Sequence, residues 1–190
     1  MRYLSTRGRA LPETIGPALA SGLAADGGLF VPEALPLCRA DAFSGREPLA
    51  TLAAGLLEPF FLGDTLAKEL PAIAAQSLDI AIPMRAIAPG TWLFELFHGP
   101  TAAFKDFGAR FLAACLARLP APGSRTRTVL VATSGDTGAA VGAAFHKRPG
   151  FRVVILYPDG RVSPRQAHQL GCFGDNVHAL RVQGSFDDCQ

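Results

Sequence analysis

Two short stretches of this 190-residue chain carry residues whose types and spacing could do chemistry. The first centres on Lys105, flanked by Phe104 and Phe107. It stands where an aromatic run, Trp92 to Phe97, has been broken by Gly99-Pro100 and a helix begins. That predicted helix has apolar residues at Phe107, Phe111, Leu112, Cys115, Leu116 and Leu119, the spacing of one buried face. A cation in its first turn sits at the positive end of the helix dipole. The dipole and any apolar burial both disfavour the ammonium form. A neutral amine is a nucleophile that condenses with an aldehyde to give a Schiff base. The plainer alternative is a lysine whose stem covers apolar surface while its head stays in water. This stretch alone does not separate the two.

The second stretch is Val129 to Gly142, which reads as strand, tight turn and helix. Ligands of open α/β sheets bind beyond the carboxyl ends of the strands, and Thr133, Ser134, Gly135, Asp136 and Thr137 occupy that place. Backbone N–H groups and hydroxyls at a helix N-terminus favour an anion such as a carboxylate. Gly135 and Gly138 allow close backbone approach. No Gly-Lys-Ser/Thr follows, so this is not a nucleotide P-loop, and Gly-x-Gly-x-x-Gly is absent too. The competing reading is that Ser134 and Asp136 only cap the helix.

Other residues are weaker candidates. His98, beside Gly99, is a possible substrate contact or a residue that shapes the turn. Asp106 suits the helix N-terminus electrostatically. Arg110 reads as a structural or surface ion pair, and Phe111 as core. Arg161 follows the carboxyl end of a predicted strand, a good place to meet an anion.

The elements that must position these groups form two parts. Residues 1–78 read as a mostly helical lead-in, with helices near Thr14–Gly22, Pro48–Leu62 and Thr65–Ser77, and with Thr14 and Asp64 as candidate caps. Residues 79–190 read as α/β. Paired strands at Ile82–Ile87 and Thr91–Phe97 come first. After the Lys105 helix, a loop is expected over Pro120–Thr126. Strands at Thr128–Ala132, Phe151–Tyr157 and Val177–Val182 then alternate with helices at Thr137–His146 and Ser163–Leu170, and a helix begins at Phe186. Short continuous apolar strands imply burial on both faces, and the alternation implies a doubly wound parallel sheet.

With 49% hydrophobic and 18% charged residues, a substantial core is expected. A net charge of +2 argues against a dedicated nucleic-acid or membrane-surface binder. Cys38, Cys115, Cys172 and Cys189 lack Cys-x-x-Cys spacing, which fits free thiols in a reducing cytoplasm and no metal site. The first residues have no apolar segment of a secretory signal. The longest apolar region, Leu49–Gly63, is too short and interrupted to span a bilayer.

Together the two chemical stretches resemble a known family. Glu95-Leu-Phe-His-Gly-Pro-Thr-Ala-Ala-Phe-Lys-Asp-Phe-Gly108 is similar to the cofactor-lysine segment of threonine synthases. Thr133-Ser-Gly-Asp-Thr-Gly-Ala-Ala140 resembles their substrate loop. Arg2-Tyr-Leu-Ser-Thr-Arg-Gly8, the segment from Gly22 to Pro32, and the segment from Val154 to Pro164 match as well. The wider group, fold type II pyridoxal-phosphate enzymes of the tryptophan synthase β kind, shares the Ser-Gly-Asn/Asp-Thr-Gly loop but not Phe-His-Gly-Pro-Thr. The resemblance implies a cytoplasmic lyase of amino-acid biosynthesis that turns O-phospho-L-homoserine and water into L-threonine and phosphate. It implies pyridoxal 5'-phosphate held on Lys105 as a Schiff base, with the ring as electron sink. Thr133, Ser134, Gly135, Asp136 and Thr137 would hold the substrate carboxylate, Asp136 would also lie near the cofactor, and His98 and Arg161 would be further contacts.

The departures carry expectations too. The family's Gly-Asn-Phe-Gly cradle for the cofactor phosphate, and its partner for the pyridine nitrogen, do not occur before Gln190. The resemblance thus extends to less than half of the enzyme, and implies weak cofactor binding and no turnover by these residues alone, since a phosphate needs paired donors. A serine/threonine dehydratase or sulfhydrylase, a non-catalytic fragment, and a plain anion-binding α/β module are the rival readings. His98-Gly99-Pro100-Thr101 ahead of Lys105 argues against the first.

Overall fold

The computed structural model describes residues 1–44, 46–120 and 125–190. The expected loop at Pro120–Thr126 lies largely outside them. The chain divides into two compact units, Met1–Asp79 with Ala114–Pro120, and Ile80–Ala113 with Ala121–Gln190.

In the first unit β1 (Tyr3–Ser5) pairs antiparallel with β2 (Phe30–Pro32). Three helices follow the chain: α1 (Ile15–Ser21), α2 (Leu49–Phe61) and α3 (Leu70–Ser77). Thr14 stands at the N-cap position of α1 without capping it. Its hydroxyl instead donates to Asp64 Oδ2 at 2.5 Å, and the Gly16 N–H donates to the same oxygen at 2.9 Å. Asp64 Oδ1 accepts from Leu66 N–H at 2.9 Å, so one carboxylate ties two helix starts. The single helix expected over Thr65–Ser77 is split into a 3-10 turn, Thr65–Glu69, and α3. Pro71 explains the restart, because a residue without an N–H fits only the first turn of an α-helix. Phe61, Leu66, Leu70, Ile73, Ala74 and Cys115 are buried core residues.

In the second unit β3 (Met84–Ala88) and β4 (Thr91–Phe94) form an antiparallel hairpin. Its register sets Met84 opposite Phe94 and Ala86 opposite Trp92, an apolar face on which Trp92 is 56% and Phe94 59% exposed. The strand expected to reach Phe97 ends at Phe94. Helix α4 (Lys105–Arg118) follows, and its last turn clusters with the first unit, although the sequence placed the whole helix with the α/β part.

The parallel sheet is β5 (Arg127–Ala132), β6 (Phe151–Pro158) and β7 (Val177–Val182), in that order, alternating in sequence with α5 (Asp136–Phe145) and α6 (Pro164–Gly171). Val153, Ile155, Tyr157 and Val177 make its buried face. There Gly138 lies so close to Ile155 and Leu170 that a Cβ would meet their methyls at 2.9 and 2.7 Å. Leu130, Val154, Leu156 and Leu180 share the opposite face by register. On it Leu130 is 66% and Leu180 51% exposed, so β5 is not buried on both faces as its apolar run predicts. The helix expected from Phe186 is a single 3-10 turn, Asp187–Cys189. No described helix is long and apolar enough to cross a membrane.

Candidate active site

The site is built within the second unit from the turn ahead of α4 and the turn ahead of α5. Asp106, in the first turn of α4, is 1% exposed and reaches back along the chain. Its Oδ2 accepts from Thr101 N–H at 2.9 Å and its Oδ1 from the Thr101 hydroxyl at 2.8 Å. Gly99 packs against that carboxylate, and a Cβ on it would lie 2.4 Å from Oδ2. Ala102 takes a left-handed backbone, φ +55°, inside the same turn. Asp106 therefore does more than complement the dipole: it fixes the loop that delivers Lys105.

Lys105 opens α4. Its Nζ lies 4.5 Å from the Phe104 ring centroid, a cation–π arrangement. It is also 3.9 Å from Asp136 Oδ2. The side chains are 35% and 49% exposed, so of the two settings left open for this lysine the amine has the partly solvated one. Positive charge at Nζ is stabilised by Asp136 and opposed by the helix dipole.

The second turn is organised from the inside by Thr133, which is 2% exposed. Its N–H donates to the Leu156 carbonyl at 2.9 Å. Its Oγ1 accepts from Gly135 N–H at 3.0 Å and Gly138 N–H at 2.9 Å. Gly135, at φ +146°, takes a backbone that side chains rarely adopt. These two bonds occupy two of the four N–H groups that a helix start leaves unpartnered. The N–H groups of Asp136 and Thr137 remain without an intrahelical acceptor, and Ser134, Asp136 and Thr137 are exposed. The structure thus separates the five predicted loop residues: Thr133 and Gly135 shape the turn, and Ser134, Asp136 and Thr137 present donors outward.

His98 and Arg161 bond elsewhere. His98 Nε2 is 2.7 Å from Glu95 Oε2, and its ring stacks on Phe97 at 4.8 Å. Arg161 N–H donates to the Pro158 carbonyl at 3.3 Å. The Asp188 carboxyl is held below its ordinary range by the Ser185 N–H and hydroxyl, and the Arg161 guanidinium adds to that. Two residues were not foreseen. Glu95, 8% exposed in its side chain, also pairs with Arg85 Nε at 2.5 Å, and a lone acid inside an aromatic run was its signal. Gln166 Nε2 donates to Asp136 Oδ1 at 3.0 Å. The spacing Ser163-x-x-Gln166 reads as a capping box, but nothing local points to a residue thirty positions earlier. No cluster of metal-ligating side chains occurs among the described residues.

A parallel α/β sheet with a lysine at one helix start, facing the turn that opens the next helix, defines a class. The family model for pyridoxal-phosphate dependent enzymes matches residues 86–190, over half of the chain, and the chain belongs to that family. A second model, described as the threonine synthase N terminus, matches residues 2–78. The threonine synthase of Pseudomonas aeruginosa is 36% identical over 100% of this chain and 42% of its own length. The crystal structure of threonine synthase from Escherichia coli superposes with a TM-score of 0.89 at 35% identity, covering 100% of this chain and 44% of that one. The pyridoxal-phosphate-bound threonine synthase from Brucella melitensis gives 0.84 at 37% identity, covering 100% and 42%. The chain spans about two fifths of the length of these relatives.

Proposed function

We propose that this chain is the lysine-bearing part of a threonine synthase, a pyridoxal-phosphate-dependent lyase that converts O-phospho-L-homoserine and water to L-threonine and phosphate. The observation that carries the reading is the 3.9 Å approach of Lys105 Nζ to Asp136 Oδ2, which joins the two motifs across 31 positions, 136 minus 105. The residues present fit the aldehyde end of the cofactor. They supply a partly exposed amine on a helix start, an aromatic ring beside it and an anion-binding turn opposite.

When bound, the cofactor supplies an electron sink for carbanion chemistry. Lys105 Nζ holds its aldehyde covalently and, when free, carries protons to and from the substrate carbons. Asp136 offers Nζ a carboxylate that stabilises the amine whenever it holds the extra proton. The N–H groups of Asp136 and Thr137, with the hydroxyls of Ser134 and Thr137, hold the substrate carboxylate at the helix N-terminus. Thr133 keeps that turn rigid from beneath, and a role for His98 and Arg161 as outer substrate contacts rests on the sequence alone, since His98 bonds Glu95 and Arg161 bonds Pro158. We assign residues 1–78 to the lead-in and 79–190 to the chemistry, in the cytoplasm, where the four unpaired cysteines stay reduced.

The test is reduction with borohydride after incubation with pyridoxal phosphate, followed by peptide mass spectrometry. The expected result is one adduct, on Lys105. An adduct on Lys68 or Lys147 instead, or none, overturns the reading. In the full-length gene product, phosphate release from O-phospho-L-homoserine is expected, and keto-acid formation from serine in its place would make the protein a dehydratase.

A further inference from the structure

Both ends of the Gln166 amide are committed. Oε1 accepts from the Ser163 N–H at 3.1 Å and the Ser163 hydroxyl at 3.0 Å, while Nε2 donates to Asp136 Oδ1 at 3.0 Å. This orientation is the one the network allows. Reversing the amide would set NH2 against the Ser163 N–H and a carbonyl oxygen against a carboxylate. The amide also lies on the loop backbone: a Cβ on Gly135 would come 2.3 Å from Gln166 Nε2. A side chain at 135 would therefore displace Gln166 from Asp136. The outcome is visible at Asp136. One oxygen is tied to Gln166, and the other stops 3.9 Å from Lys105 Nζ, well short of the roughly 2.8 Å of a charge-assisted hydrogen bond.

We propose that Gln166 is a positioning residue that holds the Asp136 carboxylate off the Lys105 amine, so that the amine stays close to its counter-charge without being locked into a contact ion pair. This rests on the reading of Lys105 as the cofactor lysine. Ser163 sets the amide, the amide sets Asp136, and Asp136 sets the electrostatics at Nζ. Without the Gln166 donor, opposite charge draws Asp136 onto Nζ and the amine becomes a poorer nucleophile.

The experiment is trace acetylation with acetic anhydride across pH 7 to 10, with Lys105 quantified by mass spectrometry against exposed Lys68. In Gln166→Leu, Lys105 labelling at pH 8 falls about two- to threefold, the modest factor expected for a closer but partly solvated pair. The whole profile moves to higher pH, which a merely structural role would not cause, and Lys68 is unchanged. Gln166→Glu retains the capping box, since Glu serves there as well as Gln, but offers Asp136 a second negative charge, so labelling falls further. This variant decides the matter if loss of the cap unfolds α6 in Gln166→Leu. In an Asp136→Asn background Gln166→Leu, which adds no charge, has no effect. Unchanged or faster labelling of Lys105 in Gln166→Glu, or an effect of Gln166→Leu that persists in Asp136→Asn, overturns the proposal. Acetylation needs no cofactor, so a chain that responds as expected but takes no pyridoxal phosphate on Lys105 refutes the functional reading and leaves the positioning role intact.

Discussion

Replacing Asp106 by Ala should loosen the turn that presents Lys105 more than it disturbs anything else in the second unit. The side chain is 1% exposed, and both oxygens are used, on the Thr101 N–H and the Thr101 hydroxyl. Hydrogen bonds to a charged acceptor are worth about 1.5–3 kcal/mol each, and a buried donor left unpaired forfeits its hydration as well. Losing both should cost about 3–5 kcal/mol, less whatever water recovers by entering. Asp106→Asn keeps one acceptor and should cost about 2 kcal/mol by the same reasoning. Gly99→Ala attacks the contact from the other side, with a Cβ 2.4 Å from Asp106 Oδ2. Overpacking of that kind costs about 1–3 kcal/mol. Because the two residues share one contact, the double variant should cost less than the sum of the singles. Urea unfolding followed by the fluorescence of Trp92, the single tryptophan, gives the free energies. Hydrogen exchange of peptides covering residues 99–107 locates the change. A value for Asp106→Ala within about 0.5 kcal/mol of the parent, the range of an ordinary surface substitution, with undiminished protection at Thr101, would refute the reasoning.

Two further outcomes follow from the titratable groups. The Asp26 carboxyl is pulled from 3.8 to about 2, first by the Ser5 hydroxyl and then by the N–H groups of Gly28, Arg9 and Ala10. A carboxyl lowered by folding contributes stability that is present above its unfolded value of 3.8 and is lost as pH falls through about 2. Melting temperature should therefore drop across that window, and Asp26→Asn should flatten the drop; an equal pH dependence in that variant contradicts the assignment. Burial pushes the Cys115 thiol up to about 12, while Cys38 and Cys172 are exposed and Cys189 is buried. A thiol-disulfide reagent at pH 8 should titrate two cysteines rapidly in the native protein and four in guanidinium, and a fast third thiol would show that one of the two cores is open.

Much of the α/β order was legible because its signals are local. Ser163-Pro164 marked a helix start, and the cap and first-turn proline are there. Val177–Val182 reads as a strand at both of its observed ends. What escaped depends on groups distant in sequence. An apolar run does not say whether one face or two will be covered, so Leu130 read as core and is exposed. Hydrophobic spacing carried the Thr65–Ser77 helix straight through Pro71. In the site, each motif could be read from its own spacing, but the approach of Asp136 to Lys105 could not. Thr133 read as a ligand contact from its place at a strand's end, but that spacing did not show that its oxygen also accepts from two glycine amides and so builds the turn. Gln166 was invisible as a partner of Asp136 because its cap to Ser163 already explained it.

The uncovered sheet face has a practical consequence. Leu130 and Leu180 on the sheet, and Trp92 and Phe94 on the hairpin, present large apolar side chains to water, and the net charge is only +2. Long-range repulsion between molecules is correspondingly weak near neutral pH, and apolar contact between them is favourable. Strand β5 is an edge of its sheet among the described residues, and a sheet edge can template another strand. Colloidal behaviour of the isolated polypeptide should therefore follow the cosolvent: sulfate strengthens apolar association and should drive molecules together, while urea below the unfolding range should keep them apart.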